Sequence, residues 1–180
     1  ILQRDPHAED QFIPSKPLIL TDAQQVCLNK IIDATKEPKK SRPILLHGIT
    51  GSGKTEVYLQ AISSVIERGQ TALVLVPEIS LTPQTVARFK RRFAHIQNQV
   101  AVLHSHLSSG ERFDEWHKIV DENAKIVIGA RSALFAPLKN LGLIVVDEEH
   151  EGSYKQDKSP RYHARDVAVV RSKMEGCVVV

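Results

Sequence analysis

The densest chemistry in the chain lies in eight consecutive residues, Gly48-Ile49-Thr50-Gly51-Ser52-Gly53-Lys54-Thr55. Their spacing is G-x-x-x-x-G-K-T, the form of a phosphate-binding loop, or P-loop. Gly48, Gly51 and Gly53 let a loop curl so that backbone N–H groups face phosphate oxygens. A helix beginning just after them turns its positive end toward the same anion. Lys54 can reach the β- and γ-phosphates, and the Thr55 hydroxyl can go to Mg2+. With Thr50 and Ser52, these residues form a candidate nucleotide-binding set. A second group, Asp147-Glu148-Glu149-His150, follows the apolar run Leu143-Ile144-Val145-Val146. An acidic pair at the end of an apolar strand is the expected partner of a P-loop. Asp147 would hold Mg2+ with Thr55, directly or through water. Glu148 would orient and deprotonate the attacking water, with Lys54 as the other catalytic side chain.

Chemistry of this kind needs elements that bring the two groups together. Pro43-Ile44-Leu45-Leu46-His47 reads as a buried strand before the loop, and Glu56 to Ile66 carries apolar residues at helical spacing after it. Ahead of both, Thr21 is a plausible N-cap for a helix whose apolar face is Ala23, Val26, Cys27, Ile31 and Ala34. Further buried strands are expected at 71–76, 99–103, 125–129, 143–146 and from 177 onward. Thr82-Pro83 opens one helix. Ser108 with Glu111 opens another as a capping box, and Phe113, Trp116 and Val120 on it are expected to pack in the core. A last helix is expected from Ala164 to about Met174. Uniformly apolar strands alternating with helices predict an α/β fold, with a mostly parallel sheet and helices on both faces. Ligands in such folds bind at the carboxyl ends of strands, where the P-loop, Pro77-Glu78 and Asp147-Glu148 all fall.

Composition narrows the class. The 180 residues suit one domain with a sizeable core. Residues 1–19, with Pro6, Pro14 and Pro17, read as a linker leading into a lobe over 20–180. A formal charge of +3 is too mild to announce a nucleic-acid binder by itself. No apolar run reaches the roughly 18 residues of a membrane span, and no signal peptide is visible, so no membrane role is expected. Cys27 and Cys177 stand far apart without a C-x-x-C. They read as reduced thiols of a cytoplasmic protein, with no zinc expected in this segment. The first residue is Ile1 rather than Met, so a segment of a longer chain is expected.

The motifs also carry a resemblance. Asp147-Glu148-Glu149-His150 is a D-E-x-H box, as in superfamily 2 helicases. Residues 48–58, 75–84 (Leu-Val-Pro-Glu-Ile-Ser-Leu-Thr-Pro-Gln) and 129–137 (Gly-Ala-Arg-Ser-Ala-Leu-Phe-Ala-Pro) look like that superfamily's first three blocks. Ser153-Tyr154-Lys155-Gln156 and Arg161-Tyr162-His163-Ala164-Arg165-Asp166 are similar to the helicases that restart stalled replication forks. This resemblance covers about residues 20–180. It implies the first RecA-like P-loop NTPase lobe of an ATP-dependent DNA helicase acting in primosome assembly, cut before the next helicase block and the second lobe. By the same resemblance Gln24, with Gln25 as its neighbour and alternative, reads adenine; a glutamine amide can pair with adenine N6 and N7. Arg131 faces the DNA backbone. The loop from Gly152 to Asp166 offers Tyr154 and Tyr162 for base stacking, and Lys155 and Arg161 for phosphates. Implied partners are single-stranded and forked DNA, other replication-restart proteins and single-strand-binding proteins. Other classes remain: a metabolic P-loop kinase, for which no acceptor pocket or lid is suggested, and a DNA-binding module that uses ATP only to switch shape.

Overall fold

The computed structural model describes residues 13–180. The helices are α1 (Asp22–Lys36), α2 (Lys54–Glu67), α3 (Pro83–Arg92), α4 (Ser109–Val120) and α5 (Ala164–Glu175). The strands are β1 (Thr71–Leu75), β2 (Val100–Leu103), β3 (Ile126–Gly129), β4 (Leu141–Val146), β5 (Lys155–Gln156), β6 (Tyr162–His163) and β7 (Val178–Val179). Five of the strands form one sheet in the order β2-β3-β1-β4-β7, every neighbouring pair parallel. Their side chains are buried throughout, because both faces are covered. On one face Ala72, Val74, Ile128 and Val145 meet α1, α2 and α3. On the other, Leu73, Leu75, Val127 and Ile144 meet α5, a 3-10 turn over Arg131–Phe135, and Ile119 of α4. The short strands β5 and β6 pair antiparallel as a separate hairpin.

Local signals set the helix starts. Thr21 and Gln24 close a capping box on α1, and Ser108 and Glu111 close one on α4. Thr82 caps α3, with Pro83 in its first turn. Because β1, β3 and β4 run parallel, Pro77-Glu78, Arg131 and Asp147 leave the sheet at one edge.

Three expectations are corrected. Pro43 to His47 is not a buried strand. Ile44 N–H donates to the Val179 carbonyl at 3.0 Å, so the segment runs beside β7. Among the described residues it has no strand on its other side. Ile44 and Leu46 pack on the core, while Leu45 is 73% exposed. On α4, Phe113, Trp116 and Val120 are not core residues but face solvent, and Glu115, Lys118 and Ile119 are buried instead. The reason is where α4 lies. It covers the outer edge of β2, which presents peptide groups rather than apolar side chains. The Val102 N–H donates to Glu115 Oε2 at 2.6 Å, and Lys118 Nζ donates to the Val100 carbonyl at 2.9 Å. On α1, Val26 is exposed, and the buried side chains are Leu28, Ile31 and Thr35, turned toward α2.

Of the linker read at 1–19, residues 1–12 lie outside the described residues. The remainder has no regular structure but is docked. Ser15 N–H donates to the Arg91 carbonyl at 3.0 Å. Leu18 N–H donates to Glu56 Oε1 at 3.0 Å, and Gln60 Nε2 returns a bond to the Leu18 carbonyl at 2.9 Å. Arg92 meets Glu56 with two bonds of 2.8 and 2.6 Å. Burial pushes the Glu56 carboxyl up, but Arg92, Gln60 and the Leu18 N–H together bring it below the usual carboxylate range.

Candidate functional site

The P-loop bridges the 43–47 segment and α2. Gly51 and Gly53 take left-handed backbone, at φ of +80° and +81°, which glycine adopts without strain. A Cβ on Gly48 would lie 2.6 Å from Ser52 Oγ and would push that hydroxyl aside. Lys54, the first residue of α2, folds back so that Nζ donates to the Gly48 carbonyl at 2.6 Å. Its Nζ also lies 3.7 Å from Glu148 Oε1, so the P-loop and the acidic box meet across one space. Thr50, Ser52 and Thr55 line the same cleft with Asp147 and Glu148. Glu148 has a φ of +46°, a left-handed conformation unusual for a residue with a side chain.

Gln24 touches the loop directly. Its Oε1 accepts from Thr21 N–H at 2.8 Å and its Nε2 donates to the Ser52 carbonyl at 2.8 Å. The amide thus ties the start of α1 to the P-loop, and a Cβ on Gly53 would come 2.4 Å from Nε2. A glutamine amide has two N–H donors and two acceptor lone pairs, so one of each remains for a base.

Asp147 sits where two tyrosines converge, and the sequence reading assigned a role there to neither. Tyr58, one turn into α2 on the same face as Thr55, donates its hydroxyl to Asp147 Oδ2 at 3.2 Å. The Tyr154 hydroxyl donates to the Asp147 backbone carbonyl at 2.7 Å. Burial pushes both phenols above their ordinary range, helped by the Asp147 charge. Burial also raises the Asp147 carboxyl, partly opposed by the Tyr58 hydroxyl. The Thr55 and Asp147 oxygens, which line one cleft, are hard donors of the kind Mg2+ takes. Among the described residues no group of three or more His, Cys, Asp or Glu side chains converges as a metal site. The three-residue spacing from Thr55 to Tyr58 places both on one helix face, a signal from which Tyr58 could have been found.

The expected DNA-contacting residues separate into two groups. Tyr154 is fully buried, so it has no ring face for a base, and its expected stacking role is withdrawn. A tyrosine flanked by Ser and Lys reads as exposed, but the 3-10 turn at Gly152–Tyr154 sends its side chain under Asp147. Tyr162 is half-buried and meets Phe135 edge-on, with ring centroids 5.3 Å apart; Phe135 is itself exposed. Arg131 Nη1 donates to the Ser153 and Lys155 carbonyls, and its guanidinium lies 5.9 Å from the Tyr162 ring centre. It therefore pins the hairpin on both sides of Tyr154. Lys155, Arg161 and Tyr162 line one cavity of about 500 Å³ on the hairpin.

The P-loop lobe with its acidic box is of a recognised class: the chain matches the DEAD/DEAH box helicase family over residues 21–178 and belongs to it. Among curated proteins, it is 54% identical over 177 residues to the replication restart protein PriA of Bacillus subtilis (strain 168), covering 98% of this chain and 22% of that protein. To the PriA of Chlamydia pneumoniae it is 49% identical over 170 residues, 94% of this chain and 22% of the relative. The chain thus spans about a fifth of the length of these relatives. Among solved structures, RecG bound to a three-way DNA junction superposes with a TM-score of 0.65 and 25% identity, covering 93% of this chain and 23% of RecG. The UvsW helicase of bacteriophage T4, at a TM-score of 0.56 and 15% identity over 96% of this chain and 56% of its own, shares the fold. The fold is the α/β RecA-like lobe that the motifs imply.

Proposed function

We propose that this chain is the first motor lobe, over residues 20–180, of an ATP-dependent DNA helicase that restarts stalled replication forks. The observation that carries the reading is the meeting of Lys54, Thr55, Asp147 and Glu148 at one edge of the parallel sheet, with Lys54 Nζ 3.7 Å from Glu148 Oε1. Phosphoryl transfer needs chiefly positioning and charge neutralisation, and these side chains supply both. Lys54 leaves the Gly48 carbonyl for the β- and γ-phosphates. Backbone N–H groups of Gly51, Gly53 and the first turn of α2 cradle the anion. Thr55 and Asp147 would hold Mg2+, which would supply the positive charge that offsets the phosphates. Glu148, on its strained backbone beside Lys54, takes the proton of the attacking water. Gln24 gives its remaining donor and acceptor to adenine.

Single-stranded DNA crosses the hairpin. Tyr162 and Phe135 offer ring faces, Lys155 and Arg161 offer phosphate contacts, and Arg131 serves chiefly as the pin that holds them. The replication-restart role is supported by the relatives named PriA, and forked DNA as substrate by RecG on its three-way junction. Other restart proteins and single-strand-binding proteins are the expected partners, in the cytoplasm. Among the described residues no helix is long and apolar enough to cross a membrane. The test is Lys54→Ala in the full-length protein, followed by calorimetric titration with Mg-ATP. The account expects binding to weaken by at least about tenfold, because a phosphate loses a charge-assisted partner. Unchanged affinity would show that the P-loop is not the nucleotide site.

A further inference from the structure

Helix α3 presents one stripe of polar side chains toward the P-loop. Gln84, Thr85, Arg88, Arg91 and Arg92 recur at three- and four-residue spacing, so they share a face. The opposite face is the buried one, through Val86, Phe89 and Lys90. All five stripe residues line a cleft of about 780 Å³ whose other wall is the P-loop from Ile49 to Glu56. The floor includes Asp147 and Glu148, and the docked Ser15-Lys16 closes one side.

The charges along this wall differ in what they already do. Arg92 is committed to Glu56 by two hydrogen bonds, with both side chains under a tenth exposed. Arg88 and Arg91 are exposed and form no ion pair among the described residues. Two cations facing a P-loop across a cleft repel each other and Lys54 unless an anion lies between them. Their positions along α3 also differ. Arg91 is the residue whose carbonyl holds Ser15, so it stands at the linker end of the cleft. Arg88 is one turn earlier. It lines the cleft together with Thr55, Asp147 and Glu148, one turn away from the linker end.

We propose that Arg88 is a nucleotide-contacting residue that reads the terminal phosphate, so that the lobe distinguishes a nucleoside triphosphate from a diphosphate by a cation of its own on α3. The inference rests on the nucleotide reading above and adds a residue that no helicase block named here contains. A planar guanidinium suits the task, since it can give two parallel N–H bonds to a phosphate and stays charged at all working pH. The arrangement also has a consequence for coupling. Thr82 and Pro83 start α3 just after Pro77-Glu78, the turn that leaves the sheet beside the proposed DNA face. A pull on Arg88 by the terminal phosphate is thus applied to the helix that continues from that turn.

The test is affinity, measured by calorimetry in the full-length protein with Mg2+ present. Wild type, Arg88→Ala and Arg88→Lys are each titrated with ADP and with a non-hydrolysable ATP analogue. A lost hydrogen bond to a charged group weakens binding by about ten- to a hundredfold. The expected result is a loss of that size for the analogue with Arg88→Ala, partial recovery with Arg88→Lys, and ADP affinity within about twofold of wild type. Equal losses for both nucleotides would place Arg88 on the inner phosphates or on the fold and overturn the proposal. Unchanged affinity for both would overturn it as well. If wild type bound neither nucleotide, the nucleotide reading itself would fall, and this inference with it.

Discussion

Helices α2 and α4 are of similar length and both carry apolar residues at helical spacing, yet they bury different kinds of side chain. α2 buries chiefly apolar side chains, Val57, Leu59, Ala61, Ile62 and Val65, as its pattern predicts, with Glu56 held on Arg92 at its start. α4 leaves Phe113, Trp116 and Val120 in solvent and buries Glu115 and Lys118. The difference follows from what each helix covers. α2 lies on the face of the sheet, which offers Leu, Ile and Val side chains. α4 lies along the edge, where unpaired peptide groups of β2 need hydrogen-bond partners. Glu115 and Lys118 supply one acceptor and one donor, 3.6 Å from each other. Hydrophobic spacing locates the buried side of a helix only when its neighbour is apolar.

Substitutions on the two helices can break this comparison. The largest effect is expected from Glu115→Ala, which leaves Lys118 buried beside an unpaired Val102 N–H. Removing one partner of a buried pair costs about 3–5 kcal/mol, to be read from denaturant unfolding. Ile62→Ala on α2 opens a cavity beneath the sheet and is expected to cost about 2–5 kcal/mol by the same assay. Phe113→Ser serves as the control for both, since that side chain is 60% exposed and an exposed substitution is expected to stay within about 0.5 kcal/mol. A Phe113→Ser loss that exceeded the Glu115→Ala loss would overturn the edge-clamp account of α4.

The same physical distinction explains what was legible before the structure. The strands of the five-stranded sheet and the caps at Thr21, Thr82 and Ser108 are local patterns, and each holds in the structure, while the P-loop and Asp147-Glu148 line one cleft. What failed depended on neighbours distant in sequence. Pro43 to His47 is apolar enough for a buried strand, but its burial depends on what flanks it on each side, and only β7 does so among the described residues. Tyr154 sits among polar and cationic residues, yet seven residues after Asp147 it turns inward to bond that residue's carbonyl. The block containing Arg131 implies a face toward the DNA backbone; its bonds to the Ser153 and Lys155 carbonyls are a further use that shows only once the hairpin is folded against it. The linker residues Ser15 and Leu18 carry no pattern that foretells their docking. Their anchor is the Glu56–Arg92 pair, 36 residues apart.

The central claim is that the P-loop and the acidic box form one hydrolytic site in which Glu148 takes the proton of water. Glu148→Gln in the full-length protein keeps the side chain's size and removes its ability to accept that proton. Mg-ATP affinity and DNA-stimulated phosphate release, measured on the same preparation, test the claim most directly. The account predicts near-normal affinity with phosphate release reduced by at least about a hundredfold, the lower end of what a positioned general base contributes. Phosphate release at the wild-type rate, with binding intact, would contradict it.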